Sequence, residues 1–191
     1  MIEDRILQLI YLAEVNLECC RTIHNFIESK KRHTSAIDYI EFKNHDKTRY
    51  LTLSANNHFF ESVSIIHTLL HQVNTKNSEL SFQLYRETLI YQNCFDNNTQ
   101  EFLYQIENLW KEFEKENFHK IRNKLVAHKD VKNIGNPETI AVARINLKLI
   151  EKLKKILRSM KIETTKYFKD SISNNYLMSA KRGLEKILFN N

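Results

Sequence analysis

Residues 99–128, with the sequence TQEFLYQIENLWKEFEKENFHKIRNKLVAH, decide the fold class of this chain. The stretch contains neither glycine nor proline, the two residues that most disfavour a helix interior. Its apolar side chains recur at the three- to four-residue spacing of one helical face, and they are Phe102, Ile106, Leu109, Phe113, Ile121 and Leu125. The stretch predicts one long helix, the third of the chain, from about Thr99 to Ala127 or His128.

The rest of the chain shows the same helical spacing. It predicts further helices at about 2–31, 50–73, 137–161 and 163–189, a possible short helix at 79–91, and an irregular segment at 33–49 with a possible short turn at Ala36–Phe42. With only two glycines and one proline in 191 residues, the chain lacks the turns that a strand-rich fold requires. We therefore predict an all-α fold in which residues 1–191 form a single-domain antiparallel bundle of about five helices.

The predicted third helix ends in a group of residues suited to phosphodiester chemistry. A guanidinium such as that of Arg122 can hold a phosphate, and the neutral imidazole of His128 can transfer a proton near neutral pH. Asn123 could orient either group through a hydrogen bond. Together these three side chains could cleave RNA through its 2′-hydroxyl without a metal or another cofactor.

The spacing of Arg122 and His128 affects how such a site could be assembled. Six residues on a regular helix place the two side chains about 120° apart, with a rise of roughly 9 Å between them. One copy of the helix would not readily aim both groups at the same phosphate. A two-fold dimer would bring the two residue types together from two subunits, so the spacing favours a homodimer.

An Arg-x(4–6)-His pattern alone is expected about once by chance in a chain of this composition, but its context here is more specific. The run Ile121-Arg122-Asn123-Lys124-Leu125-Val126-Ala127-His128-Lys129-Asp130 resembles the signature of the HEPN (higher eukaryotes and prokaryotes nucleotide-binding) superfamily. It is most similar to the branch named for U-type abortive-infection proteins. The resemblance covers about ten residues.

This resemblance implies a small helical bundle that forms a homodimer. It also implies a metal-independent endoribonuclease in prokaryotic toxin–antitoxin or anti-phage defence, with RNA as substrate and an antitoxin protein as a possible partner. Arg122, Asn123 and His128 match the motif positions at which the superfamily places its catalytic residues. Because the superfamily also contains members that bind without cleaving, a non-catalytic dimer that binds RNA, a nucleotide or an acidic partner protein is the alternative, and a purely structural helical oligomer is a third reading.

Positive charge is concentrated close to this motif. Residues 141–170 contain nine lysines and arginines against three acidic residues, a balance that favours an acidic partner such as nucleic acid. We expect five cations to contact RNA, namely Lys124, Lys129, Arg144, Lys148 and Lys152. The basic stripe of the predicted fourth helix could also be an ordinary solvated face or a docking surface for an acidic protein.

Simpler roles remain open for the residues of the motif. His128 could be a core histidine at the end of its helix, Asn123 an exposed helix residue, and Arg122 the partner of Glu114 or Glu116 in an ion pair. His67 and His71 are spaced so that both could face a zinc ion, but no third ligand has a diagnostic spacing, so we expect no metal site. His119 is expected on the solvent side and Trp110 in the core.

The composition also bears on where the protein acts. No apolar run approaches the roughly 20 residues of a membrane span, and the N-terminal region carries Glu3 and Asp4 in place of the basic-then-apolar pattern of a signal peptide. Three cysteines, two of them adjacent, fit reduced thiols better than a disulfide framework. The sequence therefore predicts a cytoplasmic protein that does not associate with membranes.

Overall fold

The computed structural model describes residues 2–33, 35–71, 80–128, 145–168 and 182–188, with their side chains except those of residues 33, 43 and 124–128. Every regular element in these ranges is a helix, which confirms the all-α class. The helices are α1 (Ile2–His33), α2 (Ala36–Asn44), α3 (Asp46–Leu70), α4 (Phe82–Tyr91), α5 (Asn97–Lys115), α6 (Phe118–His128), α7 (Leu147–Phe168) and α8 (182–188).

Helices α1 and α3 pack antiparallel along the centre of the molecule. Ser62 of α3 donates a hydrogen bond of 2.9 Å to the carbonyl oxygen of Ala13, and His58 of α3 lies 2.7 Å from the amide oxygen of Asn16 in α1. Their contact faces are apolar, and side chains such as Leu17 and Phe59 are almost completely buried there. Burial of these apolar faces, rather than helix propensity, provides most of the stability of such a pair.

Helix α7 lies antiparallel to α1 on one side and to α5 on the other. Lys154 pairs with Glu18 of α1, and Lys161 Nζ lies 2.6 Å from Glu14 Oε2. Toward α5, the ring of Tyr167 stacks on that of Phe102 with centroids 4.2 Å apart. One core cluster includes buried side chains from α1, α3, α4, α5, α6, α7 and α8.

The predicted long third helix is two helices, α5 and α6, because the helix is interrupted at Glu116 and Asn117. Asn117 has a φ of 61°, in the left-handed region that asparagine tolerates better than most residues. On an unbroken helix Phe118 would lie about 140° from Phe113 and outside the apolar stripe. The break instead buries both rings completely, with centroids 5.3 Å apart. The burial of Phe118 thus accounts for a break that helical spacing alone does not reveal.

Other helix boundaries also differ from the sequence prediction. The segment 33–49, expected to be irregular, contains α2 and the start of α3. Helix α7 begins at Leu147, where the side chain of Asn146 accepts a hydrogen bond from the Leu149 amide at 2.9 Å, and it continues through the predicted junction near residue 162. The predicted start at 137 lies outside the described residues. The short polar side chains that cap these helices fix their ends more precisely than apolar spacing does.

None of the helices in the described ranges combines the length and the apolar character that a transmembrane span requires.

Candidate active site

Helix α6 presents Arg122 and Asn123 side by side at the surface. Arg122 is partly buried and Asn123 is exposed, and Nη1 of Arg122 lies 3.5 Å from the Asn123 side-chain oxygen. Within the described part of the chain no carboxylate forms an ion pair with Arg122. Glu116, one of the two partners considered from the sequence, pairs with Lys152 of α7. Among the described residues, neither Glu116 nor another carboxylate therefore neutralises the charge of Arg122.

The third member of the motif, His128, is the last residue of α6. Since α6 is a regular helix, the backbones of Arg122 and His128 keep the separation of about 120° and roughly 9 Å expected from their spacing. The side chains of His128 and Lys124 lie outside the described residues, as do Lys129 and Arg144 entirely. The roles assigned to these four residues remain predictions, as do those of Arg122, Asn123, Lys148 and Lys152.

A cluster of histidine and aromatic rings, which we call the histidine cluster, lies next to Arg122. It consists of His67 and His71 at the end of α3, Trp110 of α5 and His119 of α6. The imidazoles of His67 and His71 stack with centroids 4.9 Å apart. The Trp110 ring meets both imidazoles edge to face, at 5.5 Å from His67 and 5.4 Å from His71.

The histidine cluster keeps one imidazole neutral beside a permanent positive charge. Burial is the main reason that the pKa of His67 is lowered to about 4, and the charges of Arg122, His71 and His119 contribute to the same shift. His67 is only 7% exposed. Near neutral pH it is therefore an uncharged hydrogen-bonding group with a guanidinium nearby.

His119 lies closer to the interior than the sequence suggested. Its ring is partly buried, and Nδ1 is buried without a hydrogen-bond partner among the described residues. An unsatisfied buried nitrogen normally costs about 1–3 kcal/mol. His119 therefore belongs to the histidine cluster and not to a solvated helix face.

The described residues contain no group of three or more histidine, cysteine, aspartate or glutamate side chains that could hold a metal ion. His67 and His71 stack against each other, whereas zinc ligands point their nitrogens at a shared centre. The ring arrangement is that of an aromatic cluster.

The basic face of α7 is only partly open. Lys148 is exposed, whereas Lys152 forms its ion pair with Glu116 at the corner between α5 and α6. Lys155 and Arg158 are also exposed, one and four residues after the Lys154 that binds α1. A row of cations thus starts near α6 and follows α7 away from it.

A surface groove of about 620 Å³ runs between α4 and α5 and reaches His71. Its walls include one cation, Arg86, and two carboxylates, Glu101 and Glu107. Amides and aromatic rings provide much of the remaining wall, namely Gln83, Asn97, Gln100, Phe82, Phe95 and Tyr104. Because His71 belongs both to this groove and to the histidine cluster, the two features adjoin.

Sequence reasoning did not place His67, His71, Trp110 and His119 near Arg122. The i, i+4 spacing of the first two histidines was considered only as a possible zinc pair, and Trp110 only as a core residue. The sequence contained one indication: Trp110 and Phe113 lie on one face of α5, and His119 follows them along the chain. On a helix that continued through Asn117, however, these positions would not predict that His119 lies toward α3.

The chain matches no family model, and neither a curated protein nor a solved structure matches it. Its functional assignment consequently depends on Arg122, Asn123 and the residues packed around them.

Proposed function

We propose that this protein is a metal-independent endoribonuclease of the HEPN type that cleaves RNA through the 2′-hydroxyl at a composite site across a homodimer. Arg122 clamps the phosphate, Asn123 orients it, and His128 transfers the proton. The physiological setting that we propose is prokaryotic toxin–antitoxin or anti-phage defence. An antitoxin protein is the partner expected in that setting.

The observation that most directly supports this proposal is the set of groups around the Arg122 guanidinium. Its guanidinium contacts the neutral amide of Asn123 and has no carboxylate partner among the described residues. Glu116, one of the two partners considered from the sequence, is paired with Lys152 instead. A partly buried guanidinium beside an amide is well suited to the oxygens of a phosphate.

The proposed reaction needs one proton acceptor and one proton donor. A neutral His128 removes the proton of the 2′-hydroxyl, whose oxygen attacks the adjacent phosphorus. The bond from phosphorus to the 5′-oxygen then breaks, and a protonated His128 supplies a proton to that oxygen. The products are a 2′,3′-cyclic phosphate and a 5′-hydroxyl, and Arg122 stabilises the negative charge that grows on the phosphate in between.

A dimer can supply the proton acceptor and the proton donor at the same time. Within one α6 helix, the backbone positions of Arg122 and His128 lie about 120° apart around the helix axis. When two α6 helices meet around a two-fold axis, an arginine of one subunit can face a histidine of the other. The two histidines of the pair can then act as base and acid in the same turnover.

The test compares wild type with His128→Ala in the presence of a metal chelator. We expect the wild type to cleave single-stranded RNA into fragments with cyclic phosphate ends, whereas the variant does not, although its circular dichroism and its size in solution are unchanged. DNA of the same sequence should remain intact because it has no 2′-hydroxyl. Cleavage by a correctly folded His128→Ala variant at the wild-type rate would disprove the assignment.

The biological part of the proposal has its own measurement. Expression of the wild type in a bacterial host should arrest growth, and expression of His128→Ala at the same level should not. Co-expression of the adjacent gene should restore growth if that gene encodes the antitoxin. Growth arrest by both proteins to the same degree would separate toxicity from RNA cleavage and contradict this setting.

The second candidate function is RNA binding without cleavage, and the exposed cations of α7 favour it. Lys148, Lys155 and Arg158 are all exposed and have no carboxylate within ion-pair distance among the described residues. Such a row suits a nucleic-acid backbone whether or not a reaction follows. RNA binding that weakens steeply with salt, in a protein that leaves RNA intact, would favour this candidate.

A further inference from the structure

The His71 and Trp110 rings form the most unusual unassigned surface of the molecule. Both residues are only partly buried, and they meet edge to face at 5.4 Å. Each ring packs on a further aromatic ring: His71 stacks on His67, and Trp110 stacks on Phe113 with centroids 5.9 Å apart. The two rings are thus held in fixed orientations while part of their surface stays accessible.

A nucleobase can stack its flat face on one ring of such a perpendicular pair, while the other ring borders the edge of the base. Unpaired RNA bases stack on histidine and tryptophan rings, and every base has such a face. His71 follows His67 by one helical turn, about 6 Å along the helix axis, and α3 packs against α6, from which the charge of Arg122 acts on His67. A nucleotide whose phosphate contacts Arg122 would therefore have the aromatic pair close by.

The charge of the adjoining groove also favours a base over a phosphate. Glu101 and Glu107 outnumber Arg86 along its walls, so a phosphate placed there would be repelled. The amides of Gln83 and Gln100 offer both donors and acceptors to the edge of an uncharged ring. Phosphates are expected on the Arg122 side of His71, and bases on the groove side.

We propose that His71 and Trp110 form a stacking site for one nucleobase of a single-stranded RNA, next to the phosphate held by Arg122. This inference rests on the proposed function, because it takes RNA as the ligand. It adds that the RNA is single-stranded where it contacts His71 and Trp110, and that the protein binds it there through a base. Double-stranded RNA, in which the bases are stacked on each other, does not fit the site.

The experiment uses the intrinsic fluorescence of Trp110, which is the only tryptophan of the chain. The full-length His128→Ala protein prevents cleavage during the titration. A short single-stranded RNA should quench the fluorescence with saturation. An abasic oligonucleotide of the same length, and the duplex form of the RNA, should not quench it at the same degree of binding, which fluorescence anisotropy of a labelled end reports independently.

Two substitutions test the residues themselves. His71→Ala should weaken single-strand binding by about five- to a hundred-fold, the effect of losing one stacked base. Trp110→Phe keeps the packing on Phe113 and should weaken it by a smaller factor. The matched control is Tyr50→Ala, which removes a ring that is 71% exposed at the opposite end of α3; it should leave the affinity unchanged.

The outcomes separate this inference from the proposed enzyme activity. Equal quenching by single-stranded and abasic ligands, or binding without any quenching, would overturn the stacking site even if the wild type cleaves RNA. Base-dependent quenching that His71→Ala abolishes would support the site even if no RNA is ever cut. A failure of single-stranded RNA to bind at all would overturn both.

Discussion

His67 of α3 and Arg122 of α6 lie close enough that the guanidinium acts on the imidazole. Burial is the first cause of the low pKa of His67, about 4, and the charge of Arg122 is the second. This electrostatic interaction links the interior of the molecule to the residue that we propose as the phosphate clamp. A change in either group should therefore be detectable at the other.

Replacement of Arg122 by glutamine should raise the pKa of His67, because the charge that lowers this pKa most after burial is removed while burial stays the same. The titration of the His67 ring can be followed by NMR. Lys120→Gln is the matched control, since it removes an exposed charge from the same helix. An unchanged titration in Arg122→Gln would show that the guanidinium does not act on His67. The same variant should also lose RNA cleavage.

His67 should make the protein less stable as the pH falls. Its pKa in the folded state, about 4, is below the ordinary value of 6.5, so the unfolded chain binds the proton more readily. The stabilisation is complete above pH 6.5 and is lost as the pH falls toward 4, by up to about 3 kcal/mol. Denaturant unfolding of wild type and His67→Leu across this range measures it. If the free energy of unfolding of the two proteins depended on pH in the same way, the prediction that His67 is buried and neutral would be wrong.

Asn117 should tolerate glycine but not alanine. Its φ of 61° costs an alanine roughly 1–2 kcal/mol, whereas glycine adopts it freely. In a chain of this length that cost corresponds to a decrease in Tm of about 2–8 °C. Asn93, with a φ of 56°, is a control position outside the candidate site. Alanine at 117 should reduce RNA cleavage as well as Tm, since Asn117 sets the direction of α6, while alanine at 93 should reduce only Tm.

The lysines of α7 should contribute to RNA affinity in a salt-dependent manner. If Lys148 contacts a phosphate, Lys148→Ala should reduce the slope of log affinity against log salt by about 0.7 for a single strand. Lys152→Ala should have the same effect to the extent that RNA displaces Glu116. Lys47→Ala removes an equal charge from the start of α3 and should leave the slope unchanged. Equal slopes in all four proteins would remove α7 from the RNA path.

Helical spacing predicted the elements that consist of one continuous apolar stripe. The first helix was expected at about 2–31 and extends over Ile2–His33, with Leu17 and Cys20 buried as the stripe requires. The proximity of Arg122 and Asn123 also follows from the sequence, since the two residues are adjacent. Local patterns determine such features because each depends on residues within a few turns of one another.

The sequence by itself determined that the chain is helical, that its positive charge is concentrated toward residues 141–170, and that Arg122, Asn123 and His128 occur with the spacing of a known motif. Only the tertiary structure decided that His67, fifty-five positions before Arg122, lies beside it, and that Phe118 turns inward. The physical reason is that these contacts form between helices. They depend on how the α3, α5 and α6 faces share one core, and no periodicity within a single helix encodes that arrangement.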